Sequence, residues 1–139
     1  MRNIPFATKA FAVLMLLTLK LSAQNSVSAY SELLSGNAYD YNYDRGGNLI
    51  MYTYRGYVAF CGGGIFYEQG HKEETSEVGT FDSDYSITGT WKVQIVNGAP
   101  ILILVNSKDN STTRYPLSFS NGSLYVNNGP VELYKVICQ

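Results

Sequence analysis

The chain has 139 residues, 45% of them hydrophobic, and its ten Lys and Arg nearly balance eleven Asp and Glu. That length fits one domain, and a near-neutral balance without a basic cluster argues against nucleic acid or anionic lipid as a partner. Two Cys and one His are too few for a zinc site built from soft ligands.

Met1, Arg2 and Lys9 make a positive start, Phe11 to Leu19 forms a short apolar run, and Leu21-Ser22-Ala23 ends on a small residue. This is the layout of a secretory signal peptide. The run is shorter than the roughly 20 apolar residues that span a bilayer. Cleavage after Ala23 is expected to leave residues 24–139 as a single domain. Gln24 stands where a lipidated Cys would stand, so the mature chain is expected in the periplasm or the medium, without a lipid anchor. Loss of Arg2, Lys9 and Lys20 leaves seven basic residues against eleven acids, a net charge of −4. Cys61 and Cys138 both survive cleavage. In an exported chain they read as one disulfide, which contributes about 4 kcal/mol in the chain-entropy model. Two free thiols are the other reading.

After the signal, Ser28 to Leu34 is the one helical candidate, with Ser28 as cap and Gly36 as stop. Seven residues do not hold a helix alone, so it must pack on a sheet. Strands and turns then alternate to the end. Tyr39, Tyr41 and Tyr43 share one face of a strand, with Asp40, Asn42 and Asp44 on the other. Arg45 to Asn48 turns the chain, and Leu49 to Cys61 reads as a long strand bent at Gly56. Gly62-Gly63-Gly64 is a turn, and Ile65 to Gln69 starts the return strand. The charged stretch Gly70 to Glu77 reads as a strand edge or loop. Asp82-Ser83-Asp84 reads as an acidic turn between Thr80-Phe81 and Ser86-Ile87. Gly89, Trp91, Val93 and Ile95 share a face of the next strand. Asn97-Gly98 and Asn121-Gly122 are two-residue hairpin signals. Between them lie the apolar strand Ile101 to Val105, a turn at Lys108 to Asn110, and a strand in which Tyr115, Leu117 and Phe119 alternate. Pro116 lacks an amide donor and marks an edge or bulge. Leu124 to Val126, Asn127-Asn128-Gly129 and Val131 to Ile137 complete the series.

The expected fold is all-β: an antiparallel up-and-down β-barrel, or a strongly curved meander, of eight or nine strands with a short N-terminal helix. Closing such a meander removes its exposed edges; a two-sheet sandwich is the alternative. The stretch Gly89-Thr90-Trp91-Lys92-Val93, followed by Gly98 to Leu104, Tyr115-Pro116-Leu117 and Gly122 to Val126, resembles lipocalin-like (calycin-type) small exported bacterial β-barrel proteins. The resemblance runs over about residues 49–138 and includes a Cys before a glycine turn at Phe60-Cys61-Gly62. It implies a barrel and a binding role, and it carries over no site residue.

No catalytic or cofactor motif stands out, and no cofactor is expected. Tyr39 to Asp44 has acids at alternate positions, but the sixth and twelfth places of a calcium loop would be Arg45 and Met51 where Gly and Glu are needed. His71 sits among Glu68, Lys72, Glu73 and Glu74, as in a solvated charged hairpin. The serines lack a nucleophile elbow. Asn110-Ser111-Thr112 matches a glycosylation acceptor, which matters only in a eukaryotic secretory route. What remains is an excess of twelve Tyr, rings that suit both half-buried strands and recognition surfaces. Tyr52, Tyr54, Tyr67 and Trp91 are the candidate ligand-lining residues. The expected function is therefore non-enzymatic: an exported barrel that binds a small or extended ligand in its mouth. The alternative is a protein-binding module, an inhibitor or immunity-type partner of an exported hydrolase, acting through Gly70–Glu77 or Asp82–Tyr85. A small hydrolase or isomerase using carboxylates is the third possibility and requires two acids facing each other inside the mouth.

Overall fold

The structure is a computed structural model that describes residues 27–139, and the expected signal peptide over residues 1–23 lies outside the described residues. Helix α1 (Val27–Leu34) buries Ala29, Tyr30 and Leu34. It begins one residue before Ser28, which therefore sits in the first turn rather than at the cap. Gly36 ends it at φ 77, a left-handed conformation that glycine adopts without cost, and its amide donates to the Phe60 carbonyl at 2.7 Å.

Nine strands follow: β1 (Asn37–Gly46), β2 (Ile50–Cys61), β3 (Ile65–Ser76), β4 (Gly79–Val96), β5 (Ala99–Asn106), β6 (Thr112–Ser120), β7 (Ser123–Val126), β8 (Gly129–Val131) and β9 (Tyr134–Lys135). All pairings are antiparallel, and the order β8-β7-β6-β5-β4-β3-β2-β1-β9 is a meander curled strongly into a half-barrel. Both expected Asn-Gly hairpins form, with Asn97 and Gly98 at φ 51 and 79 and Asn121 and Gly122 at 51 and 78. Two successive left-handed residues match the right-handed twist of the flanking strands.

One expectation is corrected. Asp82-Ser83-Asp84 is no turn but lies within the continuous 18-residue β4; the chain reverses earlier, at Glu77-Val78. Asp82 lies opposite Glu73 and Asp84 opposite His71. The acids thus occupy the outer face of a strand whose inner face carries Phe81, Tyr85 and Ile87. Likewise, the charged stretch from Gly70 belongs to β3.

The inner face follows from the register. Across β1 to β4 it carries the row Tyr39, Val58, Glu68, Ile87 and the row Tyr41, Gly56, Gly70, Tyr85. Farther round, Trp91 faces Leu104, Val93 faces Leu102 and Leu117 faces Val126. Tyr30 and Leu34 of α1 join Phe60, Phe66, Trp91, Leu102 and Leu117 in one buried cluster. Phe60 meets Trp91 edge-on at 5.4 Å. The indole N–H of Trp91 donates to the Cys61 carbonyl at 3.0 Å, which satisfies its one polar atom in the core.

The two ends of the meander are joined by the chain itself. After β8 the chain needs only Glu132 and Leu133 to reach β9, which pairs with the opposite edge of the sheet at Asn37 and Ala38. The Tyr134 hydroxyl donates to Asp40 at 2.7 Å, and the Cys61–Cys138 disulfide fixes this passage to the end of β2. Beyond Ala38, β1 keeps a free edge: β8 comes near it without forming a ladder. The first half of β4 pairs with β3 alone, because β5 begins its pairing only at Gly89. Strands β1 to β4 therefore project past the closed core.

Candidate functional site

The seam between the free edge of β1 and β8 opens into the half-barrel as a cavity of about 450 Å³. Its wall combines Tyr39, Tyr41, Tyr43 and Tyr115 with apolar Val58, Leu104, Val126 and Val131, and it holds one inward carboxylate, Glu68. Alternation along β1 delivers three of the tyrosines from one face. Asp40 and Asn42 contribute to the rim from the same strand, and the Asp40 carboxylate is taken by the Tyr134 hydroxyl.

Next to the cavity, two glycines make room for its tyrosines. Gly56 and Gly70 lie directly opposite each other on β2 and β3, flanked by Tyr41 on β1 and Tyr85 on β4. An added Cβ on Gly70 would lie 2.5 Å from the Tyr85 ring carbon bearing the hydroxyl and 2.6 Å from the Tyr41 hydroxyl. The missing side chains are thus the space into which both tyrosines reach. Their hydroxyls hydrogen-bond to each other over this gap. The Tyr41 hydroxyl also contacts Glu68 Oε1 at 2.8 Å, donating to it. Among the described residues Glu68 Oε2 has no such partner, yet no buried polar side-chain atom is left unsatisfied, so this oxygen of a cavity-lining residue keeps solvent access.

Burial raises the pKa of Glu68, opposed by the hydrogen bond from Tyr41. Burial also raises Tyr39, Tyr41, Tyr85 and Tyr115, and the Glu68 charge adds to each; these phenols stay neutral at physiological pH. The site therefore offers hydroxyl donors, neutral aromatic faces and one carboxylate oxygen. Among the described residues no group of three or more His, Cys, Asp or Glu could hold a metal ion.

The four residues singled out from sequence lie elsewhere. Tyr54 stacks on Tyr43 at 5.0 Å, and Tyr52 carries the Lys72 ammonium 4.4 Å above its ring. Both continue the inner aromatic face past the cavity, toward the β1–β2 turn. Tyr67 is on the outer face, 38% exposed, and Trp91 is buried in the core. Glu68 and Tyr115 were not singled out. The available signal was parity: Glu68 falls two residues after the core residue Phe66, on the same face.

His71 is on the outer face, its Nδ1 2.7 Å from Asp84 and its Nε2 3.4 Å from Asp82. The bond to Asp84, assisted by Asp82, raises its pKa. With Arg55 and Ser86 it borders a depression that is more open to solvent than the inner cavity, so the inner cavity is the stronger candidate.

No protein-family model, curated protein or solved structure matches the chain.

Proposed function

We propose that the protein is an exported, non-enzymatic, lipocalin-like barrel that binds a small or extended ligand in its interior. One observation carries this reading: the cavity of about 450 Å³ at the β1–β8 seam, with tyrosine and aliphatic walls and one polar focus. Its volume and its mixture of apolar wall with few polar groups are those of small-molecule sites. A barrel filled by Trp91, Phe66 and Phe81 would have argued against it; Phe81 instead lies on the projecting part of β4, 59% exposed. The non-enzymatic part rests on the company Glu68 keeps. Its inward neighbours are Val58, Ile87 and the phenol of Tyr41, whereas glycoside hydrolysis needs a second carboxylate across the site. Titration with N-phenyl-1-naphthylamine, an uncharged fluorophore that brightens in apolar sites, tests the reading. Saturable binding is expected, lost in Val131→Trp, which fills the cavity from its rim. Absence of saturable binding, or binding indifferent to Val131→Trp, sinks it.

A second reading, a protein-binding module, draws on a different place. Leu49, Val78 and Phe81 are 74%, 85% and 59% exposed; Leu49 and Val78 sit in the β1–β2 and β3–β4 turns, which are neighbours through the Ile50–Ser76 pair, and Phe81 follows near the start of β4. Exposed apolar patches of this kind mark contact surfaces. Capture of an exported partner by the wild type, abolished in Val78→Glu with Phe81→Glu, would favour this reading.

A further inference from the structure

We propose that the cavity selects an organic ammonium ligand, with its cationic head held at Glu68 among the rings of Tyr39, Tyr41 and Tyr115 and its apolar remainder against Leu104 and Val126. This rests on the binding reading above and names the chemistry of the ligand.

The first argument is charge. Glu68 lines the cavity, is half-buried and engages one oxygen with Tyr41, and its second oxygen keeps solvent access. None of the residues lining the cavity is Lys, Arg or His. The nearest inward cation along β3 is Lys72, four residues on. It is committed elsewhere, above the Tyr52 ring and 4.0 Å from Glu74. A carboxylate partly withdrawn from water without a cationic partner is costly. A bound cation relieves that cost more fully than a neutral ligand, and an anionic ligand adds to it.

The second argument is the wall. Neutral phenol rings present a negative face to a cation, worth about 2 kcal/mol or more where the site is desolvated. A carboxylate inside an aromatic wall is the combination that favours a weakly hydrated ammonium over a metal ion. A metal ion needs several oxygen or nitrogen ligands, and no such group exists among the described residues. The cavity is also larger than an ammonium head group needs, and its Val58, Leu104 and Val126 side suits an apolar tail.

Choline and its uncharged isostere 3,3-dimethylbutan-1-ol differ in the charge and little in shape. Titration of each into the full chain, followed by NMR and by displacement of N-phenyl-1-naphthylamine, separates charge from fit. The expected result is that choline binds at least about tenfold tighter than the alcohol, in line with the worth of one desolvated cation–π contact. Glu68→Gln, which keeps an acceptor for Tyr41, should shrink that preference to the share owed to the rings and leave the alcohol unchanged. Equal binding of the two by the wild type overturns the ammonium assignment while the cavity reading stands. A preference undiminished in Glu68→Gln overturns the role of Glu68. If neither compound binds and the fluorophore also fails to bind, the cavity reading falls and this inference falls with it.

Discussion

Replacement of Gly70 by Ala tests directly how the glycine pair makes room for Tyr41 and Tyr85. The new Cβ would lie 2.5 Å from the Tyr85 hydroxyl and 2.6 Å from that of Tyr41, against an ordinary contact of 3.4–4 Å. Both rings must withdraw by about an ångström, which also pulls Tyr41 off Glu68. Overpacking of this kind costs about 1–3 kcal/mol, and a lost hydrogen bond to a charged group adds to it, so about 2–4 kcal/mol in total is expected. For a domain of this size that lowers Tm by roughly 10–20 °C. Urea and thermal denaturation under oxidising conditions measure it. The decisive comparison repeats the substitution in a Tyr85→Ala background, where Tyr41 can move into the vacated space. The penalty should then shrink by about 1 kcal/mol or more, a coupling typical of residues in contact. Equal penalties in both backgrounds would refute the reasoning, because the clash would then not be with the tyrosines.

Cys138→Ser should lower stability by about 4 kcal/mol on the chain-entropy view, read from urea midpoints of wild type and variant without reductant; no change would mean that the two residues of β9 hold the seam unaided. His71, the chain's single histidine, should titrate by NMR above its ordinary value of 6.5. A raised folded pKa means that its pairing with Asp84 and Asp82 contributes fully below the unfolded pKa and is lost as pH rises through the folded one. Asp84→Asn should move that titration downward, and an unmoved value would contradict the pairing. Trp91→Phe removes the donor to the Cys61 carbonyl and should cost about 1–3 kcal/mol, followed by circular dichroism because the variant lacks tryptophan.

Legibility in the sequence varied with how local the cause was. Asn97-Gly98 and Asn121-Gly122 specify their turns by their own backbone preferences, and both hairpins form where expected. The strand Gly89 to Ile95 declares its buried face by strict alternation. The acidic segment at Asp82 misled because Asp and Ser favour turns. Its place within a strand depends on Glu73 and His71 standing opposite, which is knowledge of register. The site was hidden for the same reason. Glu68 reads as one more charge in a charged stretch until pairing sets it beside Val58 and Ile87. Gly56 signals a bend on its own, and only its alignment with Gly70 turns two glycines into a cradle for Tyr41 and Tyr85.

The passage from β8 to β9 also sets an order of events. From β1 to β8 every ladder joins neighbours in sequence, so these strands can zip up hairpin by hairpin with little loop entropy to overcome. The meeting of β1 with β9 is different, joining residues such as Asp40 and Tyr134 that are 94 positions apart. Contacts of that separation form slowly. Strand β1 therefore waits with an unpaired edge while the rest of the sheet assembles, and that waiting edge is where a second unfolded chain can add. Misassembly should accordingly depend on timing: its yield should rise with protein concentration during refolding and fall once the disulfide has locked the seam.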